Sequence, residues 1–320
     1  MNIENDIKVS VCVVTYNQEN YIAQCLESLV NQETKFRYEI IVGEDCSTDS
    51  TREIVQSFVE KYPDLIVPLF YKNNIGAVEN IKQVYKKAKG KYIAHMDGDD
   101  MALPGKLQKQ FDILEQHAEC NVCSHDMARI DAEGVNKKND WTYPENIYNL
   151  FDLYHKLPFF AHSSKMFRNK YDASFWDNLL NENYILDIDV HIANMEDGNI
   201  YHINKVLGAY RVNVGVSLNG KKINPALPLG VIRAFEKGEL IFSNNPDQLI
   251  QIKKLYAHAM LQCAYGYAIF EHNSELFNKY VNLSFQKKFI GLNQIIFKIA
   301  TYFPKLAFKI FSLRSKVRNQ

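Results

Sequence analysis

The sequence predicts an α/β fold with a mostly parallel central sheet, followed by a helical C-terminal extension. In the first 118 residues, four short apolar runs alternate with four helix-like segments, the order typical of parallel βαβ units. The apolar runs are continuous, as in strands covered on both faces. Polar residues gather directly after these runs, where ligands bind in open α/β sheets.

Local patterns predict each element in chain order. The predicted strands, each a short run rich in β-branched or aromatic residues, are Val9–Val14, Tyr38–Val42, Ile66–Phe70 and Tyr92–Met96. The predicted helices, recognised by apolar residues at helical spacing, N-cap residues or a turn before them, are 19–30, 47–59, 76–88 and one that begins near Pro104.

The charge balance argues against a nucleic-acid-binding protein. The 320 residues include 37 basic and 37 acidic side chains, so no net field attracts a polyanion. The charges are unevenly distributed, because residues 286–320 contain eight basic residues and no acidic one. The rest of the chain is correspondingly acidic, with 29 basic against 37 acidic side chains.

The six cysteines are scattered and predict buried, reduced thiols of an intracellular protein. Cys120 and Cys123 form a CxxC pair, but a zinc site needs a second pair of ligands, and none stands at a suitable spacing. The N-terminus lacks a signal-peptide pattern. No uninterrupted run of 18 apolar residues occurs, so no transmembrane helix is expected.

The stretch YIAHMDGDDM, residues 92–101, places three carboxylates at the end of a predicted buried strand. Like charges this close repel one another unless a cation joins them. Mg²⁺ or Mn²⁺ fits, because hard cations prefer oxygen ligands and often bridge carboxylates to phosphate. Gly98 would let a ligand approach the backbone. The alternative is an acidic cap on the helix near Pro104, which alone would explain Asp100.

Two enzyme classes place an acidic pair after an apolar strand. Haloacid-dehalogenase-like phosphatases use a DxDx[T/V] motif, but here Met101 stands at the Thr or Val position, and the motif follows three βα units. Glycosyltransferases of the GT-A fold use a DxD motif to bind a metal and the diphosphate of a nucleotide sugar. The second class fits the position of the motif better.

Four segments resemble the successive blocks of a family 2 glycosyltransferase, in the family's order and at appropriate spacing. They are VSVCVVTYNQENYIAQCLESLVNQ (9–32), YEIIVGEDCSTDSTREIV (38–55), NNIGAVENIKQVYKKAKGKYIAHMDGDD (73–100) and ILDIDVHIANMEDGNIYHINKVLGAYRVNVGVS (185–217). The resemblance covers about residues 7–218. It implies a GT-A domain over 1–225, with a nucleotide-sugar half at 7–118 and an acceptor and catalytic half at 119–225. A helical extension, 226–284, and a basic tail, 285–320, follow.

The resemblance also implies a nucleotide site at the strand ends. Its expected members are Thr15, Tyr16, Asn17, Glu19, Glu44, Asp45, Asn74, Gly76, Asn80, Asp97 and Gly98. Asp45 is the expected contact to the base, because a carboxylate can accept the uracil N–H and Glu44 has a longer reach. The resemblance makes Asp99 the direct metal ligand and Asp97 a ribose or metal contact. Helix capping and turn chemistry are the alternative roles for these residues.

The last of the four blocks implies the catalytic residues. Asp187 matches the general base and Asp189 is the reserve, although Leu186 replaces the first acid of the family's pair. Asn213 stands where the family usually has a His, and its carbonyl could still ligate a hard cation as a third metal ligand. Arg211 is expected either to pair with the diphosphate or to form a structural ion pair.

The middle segment, 136–177, is rich in aromatic residues and corresponds to the acceptor wall of the family. Trp141, His162 and Ser163 are the expected acceptor contacts, since sugars stack on aromatic rings. A packed aromatic core is the alternative explanation of the composition.

The tail, 285–320, alternates apolar and basic residues, and Pro304 should divide it into two helices. Basic amphipathic helices suit an anionic membrane surface. Docking onto a partner protein or a second subunit is the alternative.

Together these features predict a metal-dependent, inverting glycosyltransferase that uses a UDP-sugar. Its expected acceptor is a glycan or lipid-linked oligosaccharide of surface polysaccharide synthesis, at the inner face of a bacterial cytoplasmic membrane. Leu186 and Asn213 leave open an inactive nucleotide- or glycan-binding module or a membrane-docked scaffold, and the phosphatase is the less favoured enzyme.

Overall fold

The computed structural model of the protein describes residues 6–137, 141–157, 159–181, 187–212, 214 and 222–318. The chain forms two compact units, residues 1–215 and 216–320. The first is an α/β unit and the second is helical. The functional boundaries expected at 225 and 284 remain predictions.

Nine strands of the described residues form one sheet. They are β1 (Val9–Thr15), β2 (Tyr38–Glu44), β3 (Ile66–Phe70), β4 (Tyr92–Asp97), β5 (Met101–Ala102), β6 (Cys120–Ile130), β7 (Asn146–Tyr148), β8 (Met166–Arg168) and β9 (Asn199–Arg211). Their order is β3-β2-β1-β4-β8-β6-β9-β5, and β7 also pairs with β9. Strands β1 to β4 are parallel, as are β6 and β9, whereas β8 runs antiparallel to both β4 and β6.

Helices follow the first strands as predicted, which confirms the α/β fold class. Those of the first unit are α1 (Ile22–Val30), α2 (Thr51–Lys61), α3 (Ala77–Lys87), α4 (Lys106–Gln116), α5 (Leu150–His155), α6 (Ala173–Leu179) and α7 (Asp187–Met195). Helix α1 begins three residues later than expected. Residues before it bond instead to the loop after β2, where the backbone N–H of Glu19 donates to Asp49 Oδ2 at 3.1 Å.

The core lies on both faces of the parallel strands. Val11 and Val13, on one face of β1, are fully buried with Leu26 of α1, and Cys12, on the other face, is fully buried with its Sγ 3.4 Å from the Val84 oxygen of α3. Burial on both faces explains why the strands are continuous apolar runs. Each such side chain contributes about 1.5–3 kcal/mol when it leaves water.

The carboxyl ends of the parallel strands meet at one edge of the sheet. Thr15 is in register with Glu44 of β2, and Val14 is in register with Asp97 of β4. The residues that follow β1, β2 and β4 therefore start from neighbouring points. This edge is where a ligand site is expected.

The second unit contains five α-helices among its described residues: α8 (Ala226–Ile241), α9 (Pro246–Gly266), α10 (Ser274–Lys287), α11 (Leu292–Ala300) and α12 (Pro304–Arg318). A π-helical turn, Tyr267–Glu271, extends α9. Within the expected helical extension, 226–284, the first two helices are separate, and the side chain of Asn245 caps α9. Pro304 opens α12 as predicted. Among the helices described, none combines the length and apolar character needed to cross a bilayer.

Candidate active site

The loop after β1 is tied to the loop after β2 by side chains predicted to bind the nucleotide. Asn17 Oδ1 accepts the backbone N–H of Thr48 at 2.8 Å, and the Asn17 N–H donates to Ser47 Oγ at 3.0 Å. Asn17 has a φ of 52°, a left-handed conformation that asparagine tolerates. Glu19 Oε2 accepts the Ser50 N–H at 2.9 Å. Asn17 and Glu19 thus form the frame of the site, while Tyr16 is 43% exposed.

Glu44 and Asp45 have different surroundings. Glu44 is fully buried, accepts the Ser47 N–H at 2.7 Å and forms an ion pair with Arg52. Asp45 Oδ1 and Oδ2 accept the backbone N–H groups of Ile75 (2.7 Å) and Gly76 (3.0 Å). Burial raises the pKa of Asp45, although these two bonds oppose the shift. The structure therefore separates a structural Glu44 from an Asp45 that organises the next loop.

That loop, residues 73–76, holds two further predicted site residues. Asn74 Nδ2 donates to the backbone oxygen of Asp45 at 3.0 Å. Gly76 has a φ of 87°, which favours glycine at the start of α3. Asn80 is buried below the loop, where its Nδ2 donates to the Gly43 oxygen at 2.8 Å. Asp45, Asn74 and Gly76 therefore lie together, and Asn80 supports the strand before this loop through its hydrogen bond to Gly43.

Asp97 is held by two side chains from other segments. His95 Nε2 lies 3.1 Å from Oδ1, and the Ser163 hydroxyl donates to Oδ2 at 3.2 Å. Ser163 Oγ also accepts the Asp97 N–H at 3.0 Å. Burial would raise the pKa of Asp97, but His95, Ser163 and the positive charge of Lys165 outweigh it and hold the pKa below its usual value. Asp97 is therefore a preorganised carboxylate.

Asp99 is the more available member of the predicted metal pair. Burial and the charge of Asp97 raise its pKa to about 6, against the opposing effects of Arg211 and Gln18. A cation would relieve this repulsion. Gly98 lies against the loop after β1, where an added Cβ would collide with Gln18 and approach Thr15 Cβ to 2.9 Å. Thr15 in turn donates to Gln18 Oε1 at 2.8 Å, so its role here is to support the acidic turn.

Asp100 faces inward and has a structural role, but not the predicted one of capping the helix near Pro104, since α4 has Gly105 at its N-cap and no side-chain cap. It is 1% exposed, and its Oδ1 accepts the Arg211 N–H at 2.9 Å. Oδ2 has no partner among the described residues. Burial, together with the charges of Asp97 and Asp99, raises the pKa of Asp100 well above its usual value. Burial therefore disfavours the charged form of Asp100.

Arg211 is buried beneath the acidic turn and is only 3% exposed. Its guanidinium donates to the backbone oxygens of Asp99 (3.0 Å), Asp131 (2.8 Å) and Ala132 (2.9 Å) and to Gln24 Oε1 (2.8 Å). Four of its five N–H donors are thus used by the protein. Arg211 therefore has a structural role, but its guanidinium binds backbone oxygens and does not form the expected ion pair with an acidic side chain. It leaves little capacity for the predicted contact with diphosphate.

Asp187 opens α7 and its side chain is 63% exposed. Enclosure by the surrounding protein and the charge of Asp97 nevertheless raise its pKa to about 6, while Lys165 lowers it. His162 Nδ1 lies 3.8 Å from Asp187 Oδ1. Asp189, the reserve base, is 7% exposed and close enough to Tyr154 to raise the pKa of that phenol. Of the two acids, Asp187 is the one available to a substrate.

A buried layer of basic side chains lies beneath Asp97 and Asp187, and sequence reasoning missed most of it. The ring centroids of His95 and His162 are 3.8 Å apart, and those of His162 and His191 are 5.4 Å apart. Lys165 is fully buried with Nζ 3.4 Å from His191 Nδ1, and burial lowers its pKa to about 7. No local pattern marks Lys165, since its burial depends on β8 entering the sheet between β4 and β6.

The predicted acceptor contacts fall in different places. Ser163 is fully buried, so its expected contact with an acceptor is corrected to a support of Asp97. His162 is 5% exposed and lies beside Asp187, with both ring nitrogens lacking a hydrogen-bond partner among the described residues. Trp141 meets Tyr210 edge to face at 5.8 Å. Burial and the nearby acidic turn raise the pKa of Tyr210, which places this aromatic pair by the site.

Two residues of the predicted site lie outside the described residues: Asn213, the expected third metal ligand, and Leu186. Within the described ranges, no group of three or more His, Cys, Asp or Glu side chains is arranged to hold a metal ion. The two carboxylates of Asp97 and Asp99 fit a hard cation that takes its other ligands from a diphosphate or water. The same edge of the sheet thus offers an acidic pair, a loop organised by Asp45 and an exposed base, Asp187.

A family model described as Glycosyl transferase family 2 matches residues 10–176. The uncharacterised protein Rv1520 of Mycobacterium tuberculosis is 38% identical over 128 residues, which are 40% of this chain and 37% of the relative. The poly(ribitol-phosphate) beta-glucosyltransferase of Bacillus spizizenii is 29% identical over 209 residues, 65% of this chain and 31% of the relative. The chain therefore spans about a third of the length of these relatives.

The fold also matches a solved structure, TarS residues 1–349 of S. aureus in complex with UDP-GlcNAc. The TM-score is 0.53 at 20% sequence identity, and the match covers 89% of this chain and 93% of that one. Identity at this level supports a common fold.

Proposed function

The chain belongs to glycosyl transferase family 2, and from that premise we propose that it transfers a sugar from a UDP-sugar to a hydroxyl group of a glycan or lipid-linked acceptor. The observation that carries the proposal is the convergence of Asp99, Asp45 and Asp187 on the carboxyl edge of the sheet. Each provides one part of the reaction: a metal-diphosphate site, a base-recognition loop and a general base. The relative named a poly(ribitol-phosphate) beta-glucosyltransferase, and the UDP-GlcNAc bound to TarS, support the substrate class.

The nucleotide half of the proposed site uses the Asp45 loop. Each oxygen of Asp45 accepts one backbone N–H and keeps a second lone pair that can accept the uracil N–H. Tyr16 is exposed beside the frame formed by Asn17 and Glu19 and offers an aromatic face for the base. Glu44 supports this loop from within and does not contact the nucleotide.

The diphosphate half uses the acidic turn. Asp99, with Asp97 behind it, would hold Mn²⁺ or Mg²⁺, and such a cation neutralises charge on the departing diphosphate. The protein's own contribution is to keep Asp97 ionised through His95, Ser163 and Lys165. Since Asp97 already accepts from His95 and Ser163, it is poorly placed to act as the nucleophile of a phosphatase.

Asp187 acts as the general base in the proposed reaction. Its carboxylate accepts the proton of the acceptor hydroxyl as that oxygen attacks C1 of the sugar, and the UDP leaves from the opposite side. The bond from C1 to the new oxygen forms as the bond to the diphosphate breaks, so the anomeric configuration inverts. A pKa of about 6 lets Asp187 be ionised at neutral pH and still accept a proton effectively.

The helical unit supports peripheral attachment to the cytoplasmic face of an anionic membrane. Two helices expose apolar side chains, which we call the apolar row: Leu292, Ile295, Ile296 and Ile299 of α11, and Leu306, Ile310 and Leu313 of α12. Tyr302 and Phe303, at the junction of the helices, are 72% and 65% exposed. Basic residues accompany the row, and no acidic residue occurs after Glu275. This combination favours an anionic lipid surface over a protein partner.

The test is calorimetric binding of UDP with and without Mn²⁺, on the full chain and on Asp99→Ala. Binding that is strengthened by Mn²⁺ and loses that dependence in Asp99→Ala supports the donor site. Asp112→Ala, a change of another acid, in α4, is the matched control and should bind as the native chain does. Absence of UDP binding with either divalent metal would overturn the donor assignment. Binding without turnover of any UDP-sugar would instead favour the inactive binding module.

A further inference from the structure

A surface groove of the helical unit has a lining suited to an anion. It has a volume of about 670 Å³ and lies between the start of α10 and one side of α12. Its polar lining residues are His272, Ser274, Lys305, Lys309 and Ser312. All of them belong to the second unit, so the groove is distinct from the carboxylate site of the first.

Three of the donors that line this groove have no partner among the residues that the structure describes. Lys305 and Lys309 are exposed, and neither makes an ion pair or side-chain hydrogen bond with the residues that the structure describes. Ser312 Oγ is buried and has no hydrogen-bond partner within the same ranges. A buried hydroxyl without a partner costs free energy unless a ligand or water supplies one. The two exposed ammonium groups match the charge and oxygens of a phosphate group.

Local charges leave the groove positive. Two acidic residues stand close to it in sequence, Glu271 and Glu275, and neither lines it. The Glu271 carboxylate already accepts the backbone N–H of Ile223 at 2.7 Å. The lining therefore contributes two positive charges and no negative one.

The position of the groove on α12 indicates which phosphate it would meet. Lys305, Lys309 and Ser312 share one side of the helix, at spacings of four and three residues. Leu306, Ile310 and Leu313 follow each of them by one residue, which places this part of the apolar row about 100° around the helix. The three apolar side chains are 62%, 44% and 57% exposed. A helix lying with these residues among acyl chains would hold its lysines at the depth of the headgroups.

We propose that the groove binds the phosphate group of an anionic lipid headgroup while the adjacent apolar row enters the bilayer. This inference rests on the membrane attachment proposed above and adds a specific headgroup site to it. A phosphomonoester, with its two charges and three free oxygens, can pair with both lysines. The protein should therefore prefer phosphatidic acid to a phosphodiester lipid such as phosphatidylglycerol.

The experiment measures binding of the full chain to phosphatidylcholine vesicles that contain either phosphatidic acid or phosphatidylglycerol, matched in surface potential. The test variant is Lys305→Gln/Lys309→Gln. Its control, Lys288→Gln/Arg314→Gln, removes the same charge from the tail without touching the groove lining. A third variant, Leu306→Ser/Ile310→Ser, alters the apolar row. Thermal unfolding of each variant verifies that the helical unit is folded.

Both double charge variants should lose about 30-fold in affinity for phosphatidylglycerol vesicles, because each basic residue near an anionic surface contributes about 1 kcal/mol. The native chain and the control should bind phosphatidic acid about tenfold more tightly than phosphatidylglycerol, which corresponds to about 1.4 kcal/mol for one charge-assisted contact. Only the groove variant should lose this preference.

Equal preference for phosphatidic acid in all charge variants would overturn the headgroup site. In that case, if the charge variants still bind vesicles and the apolar-row variant does not, the membrane attachment is supported although the groove inference fails. If no vesicle binds, both fail. A final experiment compares binding of inorganic phosphate and soluble dihexanoyl phosphatidic acid to the full chain. Equal affinity for the two would assign the groove to free phosphate and overturn the proposed lipid ligand.

Discussion

The hydroxyl of Ser163 clamps Asp97: it donates to Oδ2 at 3.2 Å and accepts the Asp97 backbone N–H at 3.0 Å, across 66 residues of sequence. The clamp joins the acidic turn after β4 to the segment that leads into β8. Ser163 itself is fully buried, so both bonds lie at the edge of the core. The orientation of the acidic turn therefore depends on a residue that lies far from it in sequence.

Ser163→Ala should destabilise the protein by about 1–3 kcal/mol, since it leaves the buried Asp97 N–H without a partner. Chemical denaturation measures this loss. Ser164→Ala is the matched control: it removes a buried hydroxyl that donates to the Ala161 oxygen at 2.7 Å, and that oxygen still accepts the Ser164 N–H. The control should cost about 1 kcal/mol or less. If Mn²⁺-dependent UDP binding weakens in Ser163→Ala and not in Ser164→Ala, the Ser163 hydroxyl orients the acidic turn and does more than fill the core.

The sequence predicted β1 to β4 and the helices between them well because these elements depend on local signals, whereas it did not predict β5 to β9. Continuous β-branched runs marked β1 to β4 within one residue or two, and N-cap residues marked α2. The site was predicted less completely. The three histidines and Lys165 meet beneath Asp97 only because β8 inserts antiparallel between β4 and β6, a pairing between residues more than 40 positions apart. Burial likewise turned Ser163 from an acceptor contact into a support.

Asp187→Asn should lower sugar transfer by about 10²–10⁴-fold, the usual contribution of a general base. UDP binding should be unchanged, because Asp187 accepts the acceptor's proton and does not hold the nucleotide. UDP release from a panel of UDP-sugars, with calorimetric UDP binding beside it, measures both quantities. The buried Asp189 provides the comparison, and Asp189→Asn should affect stability more than the chemical step. Full activity of Asp187→Asn would transfer the role of base to another residue.

The rate should depend on pH through the ionisation of Asp187. With a pKa of about 6, the ionised base falls about tenfold for each pH unit below that value, so kcat/KM should fall on the acid side. Protonated Lys165 lowers this pKa. Lys165→Met should therefore move the acid limb of the kcat/KM–pH profile to higher pH. Lys165→Arg, which keeps the charge, should leave the limb near its native position. A limb that does not move in Lys165→Met would show that the charge of Lys165 does not tune the base.

Asp100→Asn should be tolerated, in contrast to Asp99→Ala. Burial and the charges of Asp97 and Asp99 raise the pKa of Asp100, so a neutral amide of the same shape avoids the cost of a buried charge there. The amide oxygen can still accept the Arg211 N–H, and a stability change within about 1 kcal/mol is expected. Asp100→Leu leaves that N–H unpaired and should cost about 1–3 kcal/mol. Loss of metal-dependent UDP binding in Asp100→Asn would instead make Asp100 a ligand.

Arg211→Lys decides between the two roles expected of this residue. The guanidinium reaches three backbone oxygens and Gln24 from one planar group, and it also lies 4.6 Å from the centre of the Tyr21 ring. Lysine has three donors and cannot span these acceptors, so the variant should lose about 2–4 kcal/mol of stability.

If Arg211 is structural, the folded fraction of this variant should keep its affinity for UDP to within a few fold, because the altered bonds lie beneath the acidic turn. If Arg211 binds the diphosphate, stability should be nearly native and UDP affinity should fall, since lysine cannot make the bidentate contact of a guanidinium with a phosphate. Denaturation midpoints and UDP titrations on the same preparation separate these outcomes. The number of donors already engaged makes the first the expected result, with the acidic turn and the end of β9 behaving as one cooperative element.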